Sequence, residues 1–569
     1  MTTSQDRGVL PTSVPRAVVE RPGVLVDRAA GPPVRFPERR SRALEWHTTV
    51  RLAVAAATGL AAFAIVALHR HAPYDVEPGP IAQGLAMTAP FATALVASLA
   101  VLRPRLGYVV VLVLLPYWAV AQVAWWIGDV QVINQTLLLV ALTLGLLLQG
   151  DEGASETPGA EGAGRRPAVI EQTAAGAVML LLVLAFLSTA ASSDVVASAT
   201  VLVHGIVEPI SMGLLLIALR PTRRFIVTTL LALGLAVALG GLVNLVQTLP
   251  SDPSLAGLQA NRLLFARLTF FNVGLFGEML AMALPVLVGL LIARRRLHLD
   301  DRPITAVLIV AVILCVASLY LTFSKSGWVA AAVGLATLSI LVVEGWRKRL
   351  AVALAATVLS ALVVSWPAIV LRATPGLDQA YRAVMVGLVG DSRFDSWNPS
   401  TRSGRGSVME RLWATRAAAR MAIDHPWLGI GLDQFRTLYV PGQYKPPEAT
   451  LGLVSAHTFW PEIAAELGIP ALVLVAFLLA AAVWSLWRVY RAPPDRATRV
   501  LAAALLATML AWLVVATTFD VDLYREWRKM ASDIVMIAVL IAASFALHGL
   551  ALEPERRRRS IRSGERDEL

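Results

Sequence analysis

The 569-residue chain contains a single cysteine, Cys315, so no disulfide can form within it and cysteine pairing says nothing about its compartment. Charge is also scarce. Only 16% of residues are charged against 57% hydrophobic, with a mean hydropathy of +0.65. That balance excludes a water-soluble globule, because apolar runs of about 18 residues or more recur along the sequence. Lysine is nearly missing: of 50 basic residues only Lys325, Lys348, Lys445 and Lys529 are not arginine. With abundant alanine and valine, this is the composition of a GC-rich bacterial genome. The first 45 residues hold proline and arginine but no apolar core, so neither a cleaved signal peptide nor a folded domain is expected there. No repeat relates the two halves and no polar break marks the middle of the apolar runs, so the usual signs of a transporter are lacking.

What is present is a series of apolar segments. Spans are predicted at 52–68, 81–102, 107–127, 131–149, 170–190, 196–219, 225–249, 272–293, 304–322, 327–343, 350–371, 458–487, 498–518 and 531–548. The expected fold is therefore an all-α polytopic membrane protein of about fourteen transmembrane helices, with boundaries good to about 2–4 residues. Arginine clusters at 103–105, 164–167, 220–224, 293–296, 347–349, 488–499 and 556–559 fall in alternate connections. By the positive-inside rule those connections, with both termini, are cytoplasmic. The basic pair of motifs in YREWRK, 524–529, runs against this pattern. The net charge of +11 is thus topology-setting charge beside apolar runs, and nucleic acid is not an expected partner.

Five regions follow. Residues 1–50 are expected to be a disordered cytoplasmic tail, 51–371 to hold helices 1–11, and 372–457 to form one large extracytoplasmic loop. Residues 458–550 would hold helices 12–14, and 551–569 a basic cytoplasmic tail. A loop as long as 372–457 in a compact protein is usually functional. Within it, Ser407 and Glu410 form a capping-box pattern that would start a helix. Leu412, Trp413, Ala417 and Met421 would share one face of that helix and Arg416 and Arg420 another, as on a membrane surface.

Four stretches are expected on the same outer face. ARLTFFNVGLFGEML carries Arg267 just ahead of a helix, and LTFSKSGWVAAAVGL carries Lys325 in a tight turn. The loop helix carries Arg411, and AHTFWPEIAAELGIPA carries His457. Fixed cations at a membrane interface suit a multiply charged anion with a lipid remainder, such as a polyprenyl pyrophosphate. A neutral histidine beside them can take a proton from an attacking hydroxyl. Each residue also has a plainer reading, the cations as interfacial anchors and His457 as a loop histidine satisfied by a carbonyl. Thr458 is a plausible N-cap and Pro461 is tolerated in a first turn, so a helix would start directly after His457. Glu462 and Glu466 lie four apart on one face of it, Glu466 roughly 12–14 Å from His457 at ~1.5 Å per residue. Their expected role is to pair with an arginine or steady the site. Structural pairing without a catalytic part is the equal alternative, as it is for Glu208 and Glu278. Asp520 and Asp522 make only a lone DxD, and no metal site or cofactor is expected.

SKSGW, then RLWATRAAARMAIDHPWLGIGLDQF, then AHTFWPEIAAELGIPALVLV resembles, in this order, the O-antigen ligase and polymerase superfamily of bacterial membrane glycosyltransferases, over roughly residues 260–490. The chain has Lys325 where members often carry arginine and Thr458 where asparagine often follows the histidine. The resemblance implies a C-type glycosyltransferase fold and a polyprenyl pyrophosphate-linked glycan donor. It also implies a catalytic histidine at His457 and phosphate-binding residues at Lys325 and Arg411, with Arg267 joining them. The expected protein is an inverting, metal-independent glycan ligase or polymerase of cell-envelope polysaccharide biosynthesis. It would sit in the bacterial cytoplasmic membrane and act on a glycan, lipid or protein acceptor at its outer face. The alternative is a transporter or flippase of lipid-linked glycans.

Overall fold

The computed structural model of the chain describes residues 38–68, 80–115, 117, 124–127, 130–149, 169–248, 273–322, 324–345, 347–349, 351, 402–447, 449, 455–456, 458–518 and 532–567. The chain divides into two units, Met1–Val50 and Arg51–Leu569. Of the first, only the opening of helix α1 (Glu38–Leu68) is described, so the tail expected to be disordered to residue 50 is helical from Glu38.

The second unit begins with the remainder of α1, followed by α2 (Pro80–Leu102), α3 (Pro104–Val113) and a two-stranded hairpin, β1 (Ala124–Ile127) and β2 (Val130–Ile133). Then come α4 (Asn134–Gln149), α5 (Val169–Ala190), α6 (Val195–Val201), a π-helical turn (Leu202–Val207), α7 (Glu208–Ala218) and α8 (Arg223–Thr248). Next are α9 (Val273–Ala293), α10 (Arg302–Thr322), α11 (Lys325–Val342), α12 (Arg402–Asp424) and α13 (Phe435–Tyr439). The chain closes with α14 (Phe459–Leu467), α15 (Ile469–Arg491), α16 (Arg496–Thr518) and α17 (Ser532–Asp567).

Among the described residues, nine stretches are long and apolar enough to cross a membrane, and four shorter apolar helices accompany them. The expected span at 350–371 lies outside the described residues but for Ala351.

The span expected at 107–127 is corrected. Its helix ends at Val113 and residues 124–133 pair as a hairpin, with Ile127 opposite Val130 and Ala124 opposite Ile133. Pro116 disfavours helix at the residue before it, and the aromatic and β-branched run AWWI-GD-VQVI carries a two-residue hairpin signal. The span expected at 458–487 is two helices, α14 and α15, broken at Gly468.

Helix α9 is the axis of the bundle, packed by α8, α10, α11 and α16. Its apolar stretch is 83% buried, against 28% for α10 and 22% for α1, whose remaining faces are apolar and suited to lipid. Small residues bring the central backbones together, as membrane helices do without a hydrophobic drive between them. A Cβ on Gly289 would fall 2.5 Å from the Ala504 Cβ, and one on Gly334 would fall 2.9 Å from Pro285 Cγ and 3.1 Å from the Ala511 Cβ.

Candidate functional site

Helix α12 lies beside α14 because alanines make one side of it small. Ala414, Ala417, Ala418 and Met421 are buried with Phe435, Tyr439, Ala456 and Ala465 in a core of their own. Arg416 and Arg420 are exposed, as the face pattern predicts. The buried face is set against protein rather than a membrane surface, and Leu412, expected on it, is 46% exposed. The helix starts at Arg402, so Ser407 is an interior residue and not a cap.

After α12 the segment PWLGIGLDQF, 426–435, is laced to the end of α14. Ile430 N–H donates to Ala465 O at 2.8 Å, Gly431 N–H to Glu466 O at 3.2 Å, and Ile469 N–H to Pro426 O at 2.8 Å. Glycine is required here by contact and by conformation. Gly429 has φ +67, and a Cβ on it would lie 2.3–2.5 Å from the Glu466 and Ala465 backbone. Gly468 has φ +86, and its Cβ would meet Trp427 O at 2.3 Å.

The Glu466 carboxyl fills the centre of this loop, buried at 1% exposure. It accepts from Asp433 N–H at 3.0 Å and Phe435 N–H at 3.1 Å. These partners are backbone amides of the 426–435 turn; pairing with an arginine was one of the two roles expected for it. Asp433 pays a conformational cost in this turn with φ +60, a region that aspartate tolerates better than most side chains. Burial, opposed by Arg436 and reinforced by Asp194, pushes the Asp433 carboxyl from its ordinary 3.8 up to about 6.

A third element joins from far away in sequence. Ser188 Oγ donates to Glu466 O at 2.7 Å, Ser198 Oγ to Leu432 O at 2.6 Å and Ser193 Oγ to Gln434 Oε1 at 2.7 Å. The 191–194 connection, ASSD, has no role expected from sequence. Its concentration of hydroxyls, with Asp194 capping α6 through Ala197 N–H at 3.0 Å, was the available signal.

The expected catalytic and binding residues are placed to different degrees. His457 and Arg267 lie outside the described residues, as do Asp520 and Asp522. The residues flanking 457 are described: Ala456 and Thr458 are buried. Thr415 Oγ1 on α12 lies 3.1 Å from Thr458 Oγ1 and donates to Ala456 O at 3.3 Å. Thr415 is one turn from Arg411 on the same side of α12. Thr458 is the N-cap residue of α14 by its extended backbone, although its hydroxyl makes no capping bond. Glu462 is buried in the first turn of α14. On the other side, Phe459 and Trp460 stand edge-on to Trp512 of α16, with ring centroids 5.1 and 6.3 Å away.

Lys325 is the first residue of α11, directly after the cap Ser324, whose Oγ accepts from Gly327 N–H at 3.2 Å. That turn packs on α9 at Gly277, where a Cβ would fall 2.7 Å from the Ser324 Cβ, and beside Gly277 lies the buried Glu278. Both α9 and α11 pack on α16, as α14 does. Helices α11 and α14, which begin at or just after positions 325 and 457 in sequence, thus share α16 as a neighbour.

These elements define a multi-pass membrane protein whose buried polar connections gather at one end of the helix bundle. Residues 310–476 match the model of the O-antigen ligase family, which supports the superfamily resemblance that the motifs carry. The matched region contains Lys325, Arg411, His457, Glu462 and Glu466, while Arg267 precedes it. No curated protein matches the chain.

Proposed function

We propose that the protein is an inverting, metal-independent membrane glycosyltransferase of cell-envelope polysaccharide biosynthesis. It transfers a glycan from a polyprenyl pyrophosphate to a hydroxyl of a glycan, lipid or protein acceptor. The reaction takes place at the outer face of the bacterial cytoplasmic membrane, with both termini and the arginine-rich connections inside. His457 is the general base. It takes the proton of the acceptor hydroxyl as the oxygen attacks the anomeric carbon, and the bond to the pyrophosphate breaks on the opposite side, which inverts the configuration. The pyrophosphate leaves with its electron pair, its charge compensated by Arg267, Lys325 and Arg411.

One geometric observation carries this reading. Ala456 and Thr458 are tied to Thr415, which lies one turn along α12 from position 411, so the described residues next to the proposed base are anchored to the helix that carries a proposed phosphate ligand. The family match over 310–476 supports it from the side of sequence. Glu466 and Glu462 act at a distance. Glu466 holds the 426–435 turn in shape, and through α14 it steadies the chain that follows His457.

The test separates binding from chemistry. A general base contributes typically ~10²–10⁴-fold, so His457→Ala should lose at least about a hundredfold in transfer while still binding donor. Near-parental transfer would eliminate the base, and loss of donor binding would move His457 into the binding site. Lys325→Arg should outperform Lys325→Ala, because only the former keeps the charge.

A further inference from the structure

At the end of the bundle opposite the 426–458 loop, the turns after α11 and before α16 enclose a cavity of about 240 Å³. Its rim carries Arg349, Arg496 and Arg499, and its floor is made by Leu341, Val342, Val500 and Ala503. Arginines at helix ends are ordinary topology signals. These differ in converging from two separate segments over one apolar floor.

The side chains are also oriented. Arg349 Nε donates to Val343 O at 2.9 Å. Arg499 Nε donates to Tyr490 O at 3.4 Å, and its guanidinium lies 5.3 Å from the Tyr490 ring. Tyr490 is itself anchored by its hydroxyl to Leu341 O at 2.9 Å. With Nε turned to the backbone in both, the terminal nitrogens of each fork remain for an outside acceptor.

Two carboxyls share the rim. Asp495 is held by Arg223 at 2.6 and 3.3 Å and by Thr498 N–H at 2.8 Å, and Glu344 stands 4.0 Å from Arg496. Three arginines of the rim thus share it with two carboxylates, one of which, Asp495, is already engaged in a bidentate pair with Arg223 from outside the rim.

We propose that this cavity binds the headgroup of an anionic phospholipid, the phosphate meeting Arg349 and Arg499 and the start of an acyl chain lying on the Leu341–Val500 floor. The chemistry of a phosphodiester joined to a hydrocarbon matches a cationic rim over an apolar base. The volume is below the ~300–1,000 Å³ of pockets that enclose whole small molecules, which suits a headgroup whose chains remain in the bilayer. The site is separate from the proposed donor site and stands whether or not the transfer reaction does.

The experiment uses the full chain in neutral detergent, with dioleoylphosphatidylglycerol, dioleoylphosphatidylcholine and inorganic phosphate as probes and retained lipid read by native mass spectrometry. Phosphatidylglycerol should be retained about tenfold better than phosphatidylcholine, the ratio that ~1.4 kcal/mol of charge-assisted contact gives. Arg349→Gln with Arg499→Gln should remove the preference, whereas Arg349→Lys with Arg499→Lys should keep most of it. Equal retention of the two lipids, or an unchanged preference in a glutamine double variant that unfolds at the parental temperature, would overturn the proposal. Inorganic phosphate protecting the chain against heat as well as phosphatidylglycerol would show a simple anion site and overturn the lipid assignment.

Discussion

Glu466 shows how a charged residue is accommodated at the edge of a membrane segment. Its two oxygens accept two backbone amides of a turn that, with a left-handed residue at Asp433, has no regular secondary structure to satisfy it. Glu466→Ala would bury those amides without acceptors, each costing about 1–3 kcal/mol, and should lower the thermal midpoint and the transfer rate together. Glu466→Gln, which keeps one acceptor oxygen, should fall between. Asp433 supplies a pH dependence. Its carboxyl is pushed up to about 6 by burial, so the folded turn favours the protonated form. That contribution is complete below the ordinary value of 3.8 and is lost as pH rises through about 6. The protection factors of the amides of residues 430–435, corrected for intrinsic base-catalysed exchange, should therefore be higher at pH 5 than at pH 7.5, and Asp433→Asn should flatten that difference in protection.

The helices show how much could be read without a structure. Spans defined by long apolar runs between arginines, such as those over α5, α8, α10 and α16, were legible, because span length and flanking charge are both fixed by the bilayer. The hairpin at 124–133 was not, since an aromatic, β-branched run is as apolar as a helix and only its Gly-Asp turn and Pro116 distinguish it. The break at Gly468 was hidden for the same reason: LGIPA is apolar throughout, and the break depends on Trp427, about forty residues away, approaching the backbone. Within the site, Glu466 was legible as an acid too costly to face lipid. The serines on α5 and α6 that hold its loop were not, because a hydroxyl in a turn carries no sign of its distant partner. Gly429→Ala should confirm the close approach, losing more than the ~1–2 kcal/mol of a left-handed alanine because its Cβ also meets the Glu466 backbone. Directly after the π-helical turn at Leu202–Val207 comes another buried acid, Glu208 at the start of α7, which accepts from Thr136 and lies 3.1 Å from His204 Nδ1. Glu208→Leu should destabilise the chain by roughly 1–3 kcal/mol, seen in thermal unfolding, as the Thr136 hydroxyl and His204 lose that partner.

At the scale of the whole molecule the account separates two ends: a polar junction built from α12, α14 and the 426–435 turn, and an arginine-rich end below it. The orientation proposed for them is open to direct labelling. A cysteine at Ser400 should react with an impermeant reagent in intact spheroplasts, and reaction only after lysis would put the junction on the wrong side of the membrane for the proposed chemistry. The central claim is that this protein breaks the bond between a glycan and its lipid pyrophosphate rather than carrying the intact molecule across. Purified protein in detergent, given a polyprenyl pyrophosphate-linked glycan and an acceptor, should release free polyprenyl pyrophosphate in step with acceptor glycosylation. Recovery of the donor intact, by a protein shown to bind it in the presence of acceptor, would contradict the account and favour a transporter of lipid-linked glycans.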